Sequence, residues 1–142
     1  MGDPYRLGRF VTAQDAGGAF DRAVAELRAG HKVSHWMWFV FPQIAGLGRS
    51  AMAQQFAISS LDEARAYLRH PVLGSRLTGS AQVLTGVTGR SAEQIFGGLD
   101  AQKLRSCMTL FHRADPGEPV FAQVLSQYFD GQPDSATDRL LA

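Results

Sequence analysis

Several features that would assign this chain to a special class of protein are absent from its 142 residues. Its one cysteine, Cys107, cannot form an internal disulfide, which is usual in a reducing compartment. No N-terminal stretch has the charged start and apolar core of a signal peptide, and the longest apolar run, 36–42, is too short to span a bilayer. A formal net charge of +1 provides no global field for attracting nucleic acid or an anionic membrane. We therefore expect a cytoplasmic protein that binds neither.

Sequence templates for catalysis and metal binding are also missing. The chain has no pair of cysteines, no HExxH motif and no GxSxG elbow. His31 and His35 are four residues apart, but Lys32 between them disfavours a metal ion. We expect no metal and no cofactor. The catalytic residues, if any exist, are unknown, although Asp100 and Glu63 are carboxylates available for acid–base chemistry.

Helical periodicity dominates the residues that are present. The chain is 45% hydrophobic and 19% charged, which suits an ordered domain, and its length suits one core. Apolar residues recur at helical spacing in 18–29, 73–84, 100–111 and 121–128. No repeat or linker interrupts them. We predict an all-α fold, a compact multihelical single domain over residues 1–142 with short loops.

Residues at the predicted helix ends have the chemistry of caps. Gly30 lies where a helix would stop. The predicted N-terminal caps are Ser60 with Glu63, Ser91 with Gln94, Asp100 and Asp134.

The segment from His35 to Gln43 fits a plain bundle least. It contains both tryptophans, Trp36 and Trp38, and no polar residue between its two ends. A surface helix would place polar residues on about half of its circumference, so this segment is either buried nearly all round or lines a site. Buried indole N–H groups also need partners, from a polar pocket or from carbonyls. Two interpretations stay open, a core segment and a pocket wall, and His35 is accordingly a core histidine, a ligand contact or a catalyst.

An acid-free interval surrounds this segment. No acidic residue lies between Glu26 and Asp62, whereas Arg28, Lys32 and Arg49 fall inside the interval. The local charge is positive and favours an anionic partner. Aromatic faces beside basic groups can stack a ring while holding a phosphate or carboxylate.

A later helix carries further cations on two different faces. Lys103 shares one face with Ser106, and Arg105 shares another with Thr109 and His112. Each face is either solvated or closes against the aromatic segment. Cys107, flanked by apolar positions, is interpreted as a small core residue.

The chain resembles domain-of-unknown-function family eighteen-ten, small bacterial proteins that are sometimes labelled calpastatin-like. The matching stretches are 9–11 with 13–14, 26–30, 34–43, 46–48, 57–60, 70–74, 95–97, and 100 with 103–106 and 108–111. Where the family commonly has a second serine after Ser106, this chain has Cys107. This resemblance implies an all-helical domain and no established activity. The calpastatin label conflicts with the composition, because an inhibitor that wraps a protease while disordered is polar and proline-rich.

A more distant similarity is to N-glycosidases that act on ADP-ribose and related ribosyl compounds. It rests on Ser60, Glu63, Ala64 and Lys103. An aromatic-rich segment, a helix that starts with Ser-x-x-Glu-Ala and a later helix that carries a lysine follow one another in the same order as in that family. The acidic residue that this family has beside its aromatic segment has no counterpart here.

Three functional hypotheses follow. The first is a pocket for a small anionic, nucleotide-like ligand, with contacts from His35, Trp36, Trp38, Gln43, Lys103 and Arg105. The second is a protein-interaction module in which the aromatic segment is core and a helical face recruits a partner of unknown identity. The third is a hydrolase of N-glycosidic bonds in an ADP-ribose-like substrate, which requires a carboxylate in the pocket.

Overall fold

The chain folds into α-helices joined by short connections, and the computed structural model describes residues 2–142. The helices are α1 (Gly8–Asp15), α2 (Ala19–Ala29), α3 (Met37–Val40), α4 (Ala51–Gln55), α5 (Leu61–Arg69), α6 (Leu73–Thr85), α7 (Ala92–Phe96), α8 (Gly98–Ala114), α9 (Pro119–Phe129) and α10 (Ser135–Leu141). Within the described range, strand-like pairing is confined to one bridge between Ile44 and Ile58. The predicted all-α class is confirmed. None of these helices combines the length and apolarity that crossing a bilayer requires.

Four of the five predicted capping residues lie at helix ends: Gly30, Ser60, Ser91 and Asp134. Ser91 and Gln94 form the complete box: Ser91 Oγ accepts from the Gln94 N–H at 3.1 Å, and Gln94 Oε1 accepts from the Ser91 N–H at 2.8 Å. Gly30 ends α2 with a left-handed φ of 71°. Asp100, however, is not the cap of α8, which begins at Gly98. It lies in the first turn, where the helix dipole favours a negative charge.

The predicted box at the start of α5 is only half formed. Ser60 Oγ accepts from the Glu63 N–H at 3.1 Å, as expected. The Glu63 carboxylate does not return to Ser60. It accepts from the N–H and the hydroxyl of Ser59, both at 2.8 Å, and pairs with Arg9 at 3.1 Å. Because Arg9 belongs to α1, Glu63 ties α1 to the start of α5.

Helix α8 lies at the centre of the core, packed against α5, α7, α9 and α10. A chain of aromatic contacts crosses it, with ring centres 5.1 Å apart for Phe10 and Tyr67, 5.3 Å for Tyr67 and Phe111, and 6.0 Å for Phe111 and Phe121. Cys107 is buried here, and burial raises the pKa of its thiol. The interpretation of this cysteine as a small core residue is confirmed.

Most of the aromatic segment is core. Trp36, Met37 and Phe41 are buried, whereas Trp38 is partly exposed and His35 is exposed. Trp36 immediately precedes α3 and Trp38 lies within it, so the chain passes from a buried to a half-buried tryptophan over two residues. The core interpretation therefore holds for Trp36, Met37 and Phe41 but not for His35.

Helix α6 contains two glycines in very different surroundings. A Cβ atom at Gly74 would lie 2.0 Å from the carbonyl oxygen of Leu68, so α5 approaches α6 here as closely as a glycine allows. A Cβ at Gly79 would meet nothing within 4 Å.

We expect Gly74→Ala to lower the free energy of unfolding by at least about 1–3 kcal/mol, because the added methyl group forces the two helices apart. Urea unfolding measures the change. Gly79→Ala is the matched control on the same helix. It should be neutral or stabilise by about 0.5–1 kcal/mol, since alanine favours a helix over glycine. Equal effects at the two positions would contradict the steric explanation.

Candidate functional site

A cavity of about 390 Å³ opens between the segment that precedes α3 and the start of α8. Its wall combines aromatic side chains with charged groups of both signs. The lining residues are Lys32, His35, Trp38, Phe96, Gly97, Gly98, Leu99, Asp100 and Lys103. A concave wall with a few convergent polar groups is typical of small-molecule sites.

Asp100 lies between two lysines in this wall. Lys32 Nζ is 2.9 Å from Asp100 Oδ2, and Lys103 Nζ is 3.0 Å from Asp100 Oδ1. Burial raises the pKa of Asp100, but the hydrogen bonds and charges of Lys32 and Lys103 outweigh burial and lower the pKa below its ordinary value. The carboxylate is therefore ionised at neutral pH, and it joins the loop after α2 to the first turn of α8.

Each of these lysines also lies over a tryptophan ring. Lys32 Nζ is 4.9 Å from the centre of the Trp36 ring, and Lys103 Nζ is 5.2 Å from the centre of the Trp38 ring. An ammonium group over an indole face is attracted to the ring quadrupole. The site thus repeats one arrangement twice, a lysine held between Asp100 and an indole.

The two lysines differ in what they can offer a ligand. The Lys32 side chain is only 7% exposed, and its ammonium group also donates to the carbonyl of Ser34 at 2.6 Å. The Lys103 side chain is 24% exposed, and Asp100 is its single hydrogen-bond partner among residues 2–142. Because an ammonium group has three donors, Lys103 retains donors for a ligand.

Glu26, near the end of α2, holds the loop that carries Lys32. Its Oε1 atom accepts from the N–H groups of Val33 at 2.8 Å and Ser34 at 2.9 Å and from Trp36 Nε1 at 2.9 Å, while Oε2 accepts from Ser34 Oγ at 2.6 Å. Burial raises the pKa of Glu26, but these hydrogen bonds outweigh it and lower the pKa from an ordinary 4.5 to about 2. The partner that the Trp36 indole needed is thus a carboxylate.

Three of the six predicted contact residues meet at this cavity: His35, Trp38 and Lys103. The interpretation of His35 as a core histidine is wrong, because its side chain is exposed at the cavity.

The other three predicted contacts lie outside the cavity wall. Trp36 is 1% exposed and lies behind the wall. Gln43 lines a separate cavity of about 240 Å³. Arg105 donates from Nε to the carbonyl oxygen of Gln132 at 2.9 Å. It points away from Lys103 because residues two apart on a helix lie on different faces.

Lys32, Phe96 and Asp100 are wall residues that the predicted set of contacts omits. The acid-free interval was a usable signal for Asp100, since a buried lysine requires a counter-charge from some other element. Asp100 supplies that charge, so the positive charge of the interval is partly balanced in the folded protein. The other candidate carboxylate, Glu63, is 3% exposed and engaged with Arg9.

Metal-ligating residues are dispersed. Among residues 2–142, no three histidine, cysteine or acidic side chains come close enough together to hold a metal ion.

Comparisons with other proteins identify the family of the chain. Residues 4–141 match the family described as "Protein of unknown function (DUF1810)", and the chain belongs to this family. The crystal structure of the conserved hypothetical protein Rv1873 from Mycobacterium tuberculosis is similar, with 50% sequence identity over 98% of each chain and a TM-score of 0.94. No functionally curated protein matches the sequence. The expected family membership is confirmed.

We expect Glu26→Gln to lower the free energy of unfolding at about pH 7 by on the order of 2 kcal/mol, because an amide cannot replace an ionised acceptor of four hydrogen bonds. The pKa of Glu26 is lower in the folded protein than in the unfolded chain. Its contribution is therefore complete above about pH 4.5 and is lost as the pH falls toward about 2. Urea unfolding at about pH 7 and about pH 3 should show the difference between wild type and variant shrinking in acid.

Asp62→Asn is the control for this measurement. Asp62 forms an exposed pair with Arg65 at 3.3 Å, which is expected to contribute less than about 1 kcal/mol at either pH. A Glu26→Gln effect of the same size at both pH values would show that the charge of Glu26 is not what stabilises the loop.

Proposed function

We propose that this member of a family of unknown function binds a small anionic molecule with a flat ring, of the nucleotide class, in the cavity between α3 and α8. The observation that carries this proposal is the position of Lys103 Nζ, 5.2 Å from the centre of the half-buried Trp38 ring, with His35 in the same wall. A planar aromatic face and a cation with free donors meet there. When the Lys103 ammonium group moves off the indole to pair with a phosphate or carboxylate, a ring can stack on Trp38.

The charges of the wall support an anion. Lys32 and Lys103 contribute two positive charges and Asp100 one negative charge, so the fixed charges sum to +1. Gly98 and Leu99 open α8, and the first N–H groups of a helix have no acceptor within it. Both residues line the cavity, so the positive end of the α8 dipole adds a favourable field for a negative ligand.

The exposed apolar surface gives less support to a protein-interaction module. Such a module needs a contiguous apolar patch. Within residues 2–142, the large apolar side chains that are exposed are only Val33, Leu99 and Leu140, and Leu99 belongs to the cavity wall. The ligand site is therefore the favoured hypothesis.

We expect thermal-shift measurements against nucleotides, ADP-ribose, sugar phosphates and simple anions to give a specific hit among the ring-containing anions. Lys103→Met should weaken that ligand about tenfold, or about 1.4 kcal/mol, because its anion loses its principal partner. Trp38→Leu should weaken the binding of ring-containing anions more than the binding of simple anions. Trp38 fluorescence, compared between the wild type and Lys103→Met, provides a second measurement.

Arg105→Met is the matched control, since it removes a cation from the same helix but outside the cavity. It should leave the affinity unchanged. The proposal would be overturned if no compound in the panel stabilised the protein, or if Lys103→Met and Arg105→Met lowered the affinity equally.

A second candidate function is hydrolysis of an N-glycosidic bond in an ADP-ribose-like molecule. One observation favours it: the ionised carboxylate of Asp100 lines the cavity. An ionised carboxylate can stabilise the positive charge that develops on the ribose ring as the bond to the leaving base breaks.

If this second function is right, Asp100→Asn should abolish release of the base while the ligand still binds. Because Lys32 would lose its counter-charge, the melting temperature of the variant must be measured beside its activity. Asp62→Asn, which changes an exposed carboxylate outside the cavity, should retain turnover. Full turnover by a folded Asp100→Asn protein would exclude a catalytic role for this carboxylate.

A further inference from the structure

A second cavity, of about 290 Å³, lies between α2 and α6, and none of its wall residues belongs to the first. Each helix contributes one face to it. The lining residues are Phe20, Val24 and Arg28 from α2 and Ser75, Arg76, Gly79, Ser80 and Val83 from α6. The spacing of four residues along α2 places an aromatic, an aliphatic and a cationic side chain in one row.

Gly79 keeps this cavity open. It lies inside a helix of 13 residues, where glycine is unfavourable relative to alanine. Its backbone has no positive φ, and an added Cβ would meet nothing within 4 Å. Neither backbone conformation nor close packing therefore requires a glycine here, in contrast to Gly74. What the missing side chain does is leave space above the backbone of α6.

The charged groups of this wall are both cations. The Arg76 guanidinium carbon is 4.9 Å from the centre of the Phe20 ring, and Arg76 pairs with Asp15 at 2.9 Å. Arg28 is exposed, and no carboxylate of residues 2–142 lies within ion-pair distance of it. The carboxylate of Glu26, two residues before it, is engaged with the loop that follows α2. Arg28 is thus a cation available for an anionic group.

Ser80 adds an unsatisfied polar group to the same wall. Its hydroxyl is buried and has no hydrogen-bond partner among residues 2–142. Such groups are uncommon in folded proteins and call for an explanation. Because this hydroxyl has almost no accessible surface, a ligand in the cavity does not reach it.

We propose that this cavity is a binding site for a small monocarboxylic acid with an apolar body, such as an arylalkanoic acid. The apolar body packs against Phe20, Val24 and Val83, in the space above Gly79. The carboxylate pairs with Arg28, whose planar guanidinium matches its geometry. The site shares no residue with the proposed ligand site at α8, so either proposal can be wrong without affecting the other.

A ¹H–¹⁵N NMR titration of the whole chain with 4-phenylbutyrate tests this proposal. We expect saturable shifts of the backbone amides on the facing sides of α2 and α6. The uncharged analogue 4-phenylbutanamide should bind at least about tenfold more weakly, and Arg28→Gln should weaken 4-phenylbutyrate by about the same factor. Gly79→Leu should abolish binding by filling the space, with the melting temperature retained.

Two further variants separate the site from its neighbours. Arg22→Gln removes an exposed cation of α2 that does not line the cavity and should leave the affinity unchanged. Lys103→Met should also have no effect. Absence of shifts at millimolar acid, equal binding of acid and amide, or shifts at α8 instead of at α2 and α6 would each overturn the proposal.

Discussion

The loop between α2 and α3 depends on the carboxylate of Glu26. A buried indole N–H needs an acceptor, and two backbone N–H groups of the same loop need acceptors as well. Glu26 accepts from all three and from the Ser34 hydroxyl. Because Trp36 is held by this carboxylate, the chain enters α3 with a defined direction, and Trp38 comes to lie at the edge of the core. The position of this part of the cavity wall therefore depends on the hydrogen bonds that Glu26 makes to Trp36 and to its loop.

The second constraint is the counter-charge of a buried lysine. Lys32 is almost fully enclosed, and a buried charge is tolerated only when it is paired and hydrogen-bonded. Asp100 provides the pair from a distant part of the chain and is shared with Lys103. The loop and α8 are thus held together by charge as well as by apolar contacts. A ligand of the proposed kind would meet groups that are already positioned, which would lower the entropy cost of binding.

Helix α6 shows that one residue type serves two purposes in the same element. At Gly74 the missing side chain allows α5 to approach, since a Cβ would overlap the carbonyl of Leu68. At Gly79 the missing side chain leaves space that no other part of the protein fills. The first glycine is explained by packing within the core. The second lies in the wall of the cavity that Arg28 also lines.

Local sequence patterns were enough to predict the all-α class and the positions of several helices. Helical periodicity and caps such as Ser91 with Gln94 depend on residues a few positions apart, so they could be recognised without the fold. The aromatic and basic character of the cavity was visible for the same reason, through His35 and Trp38.

Which of these groups lie together depends on how distant segments of the chain pack. Lys103 faces the cavity while Arg105 does not, because α8 turns one toward the loop and the other toward Gln132. The role of Asp100 depended on Lys32, which is far away in sequence and close only after folding. Packing between distant segments determines such pairs, and the local pattern of residues carries no record of which faces will meet.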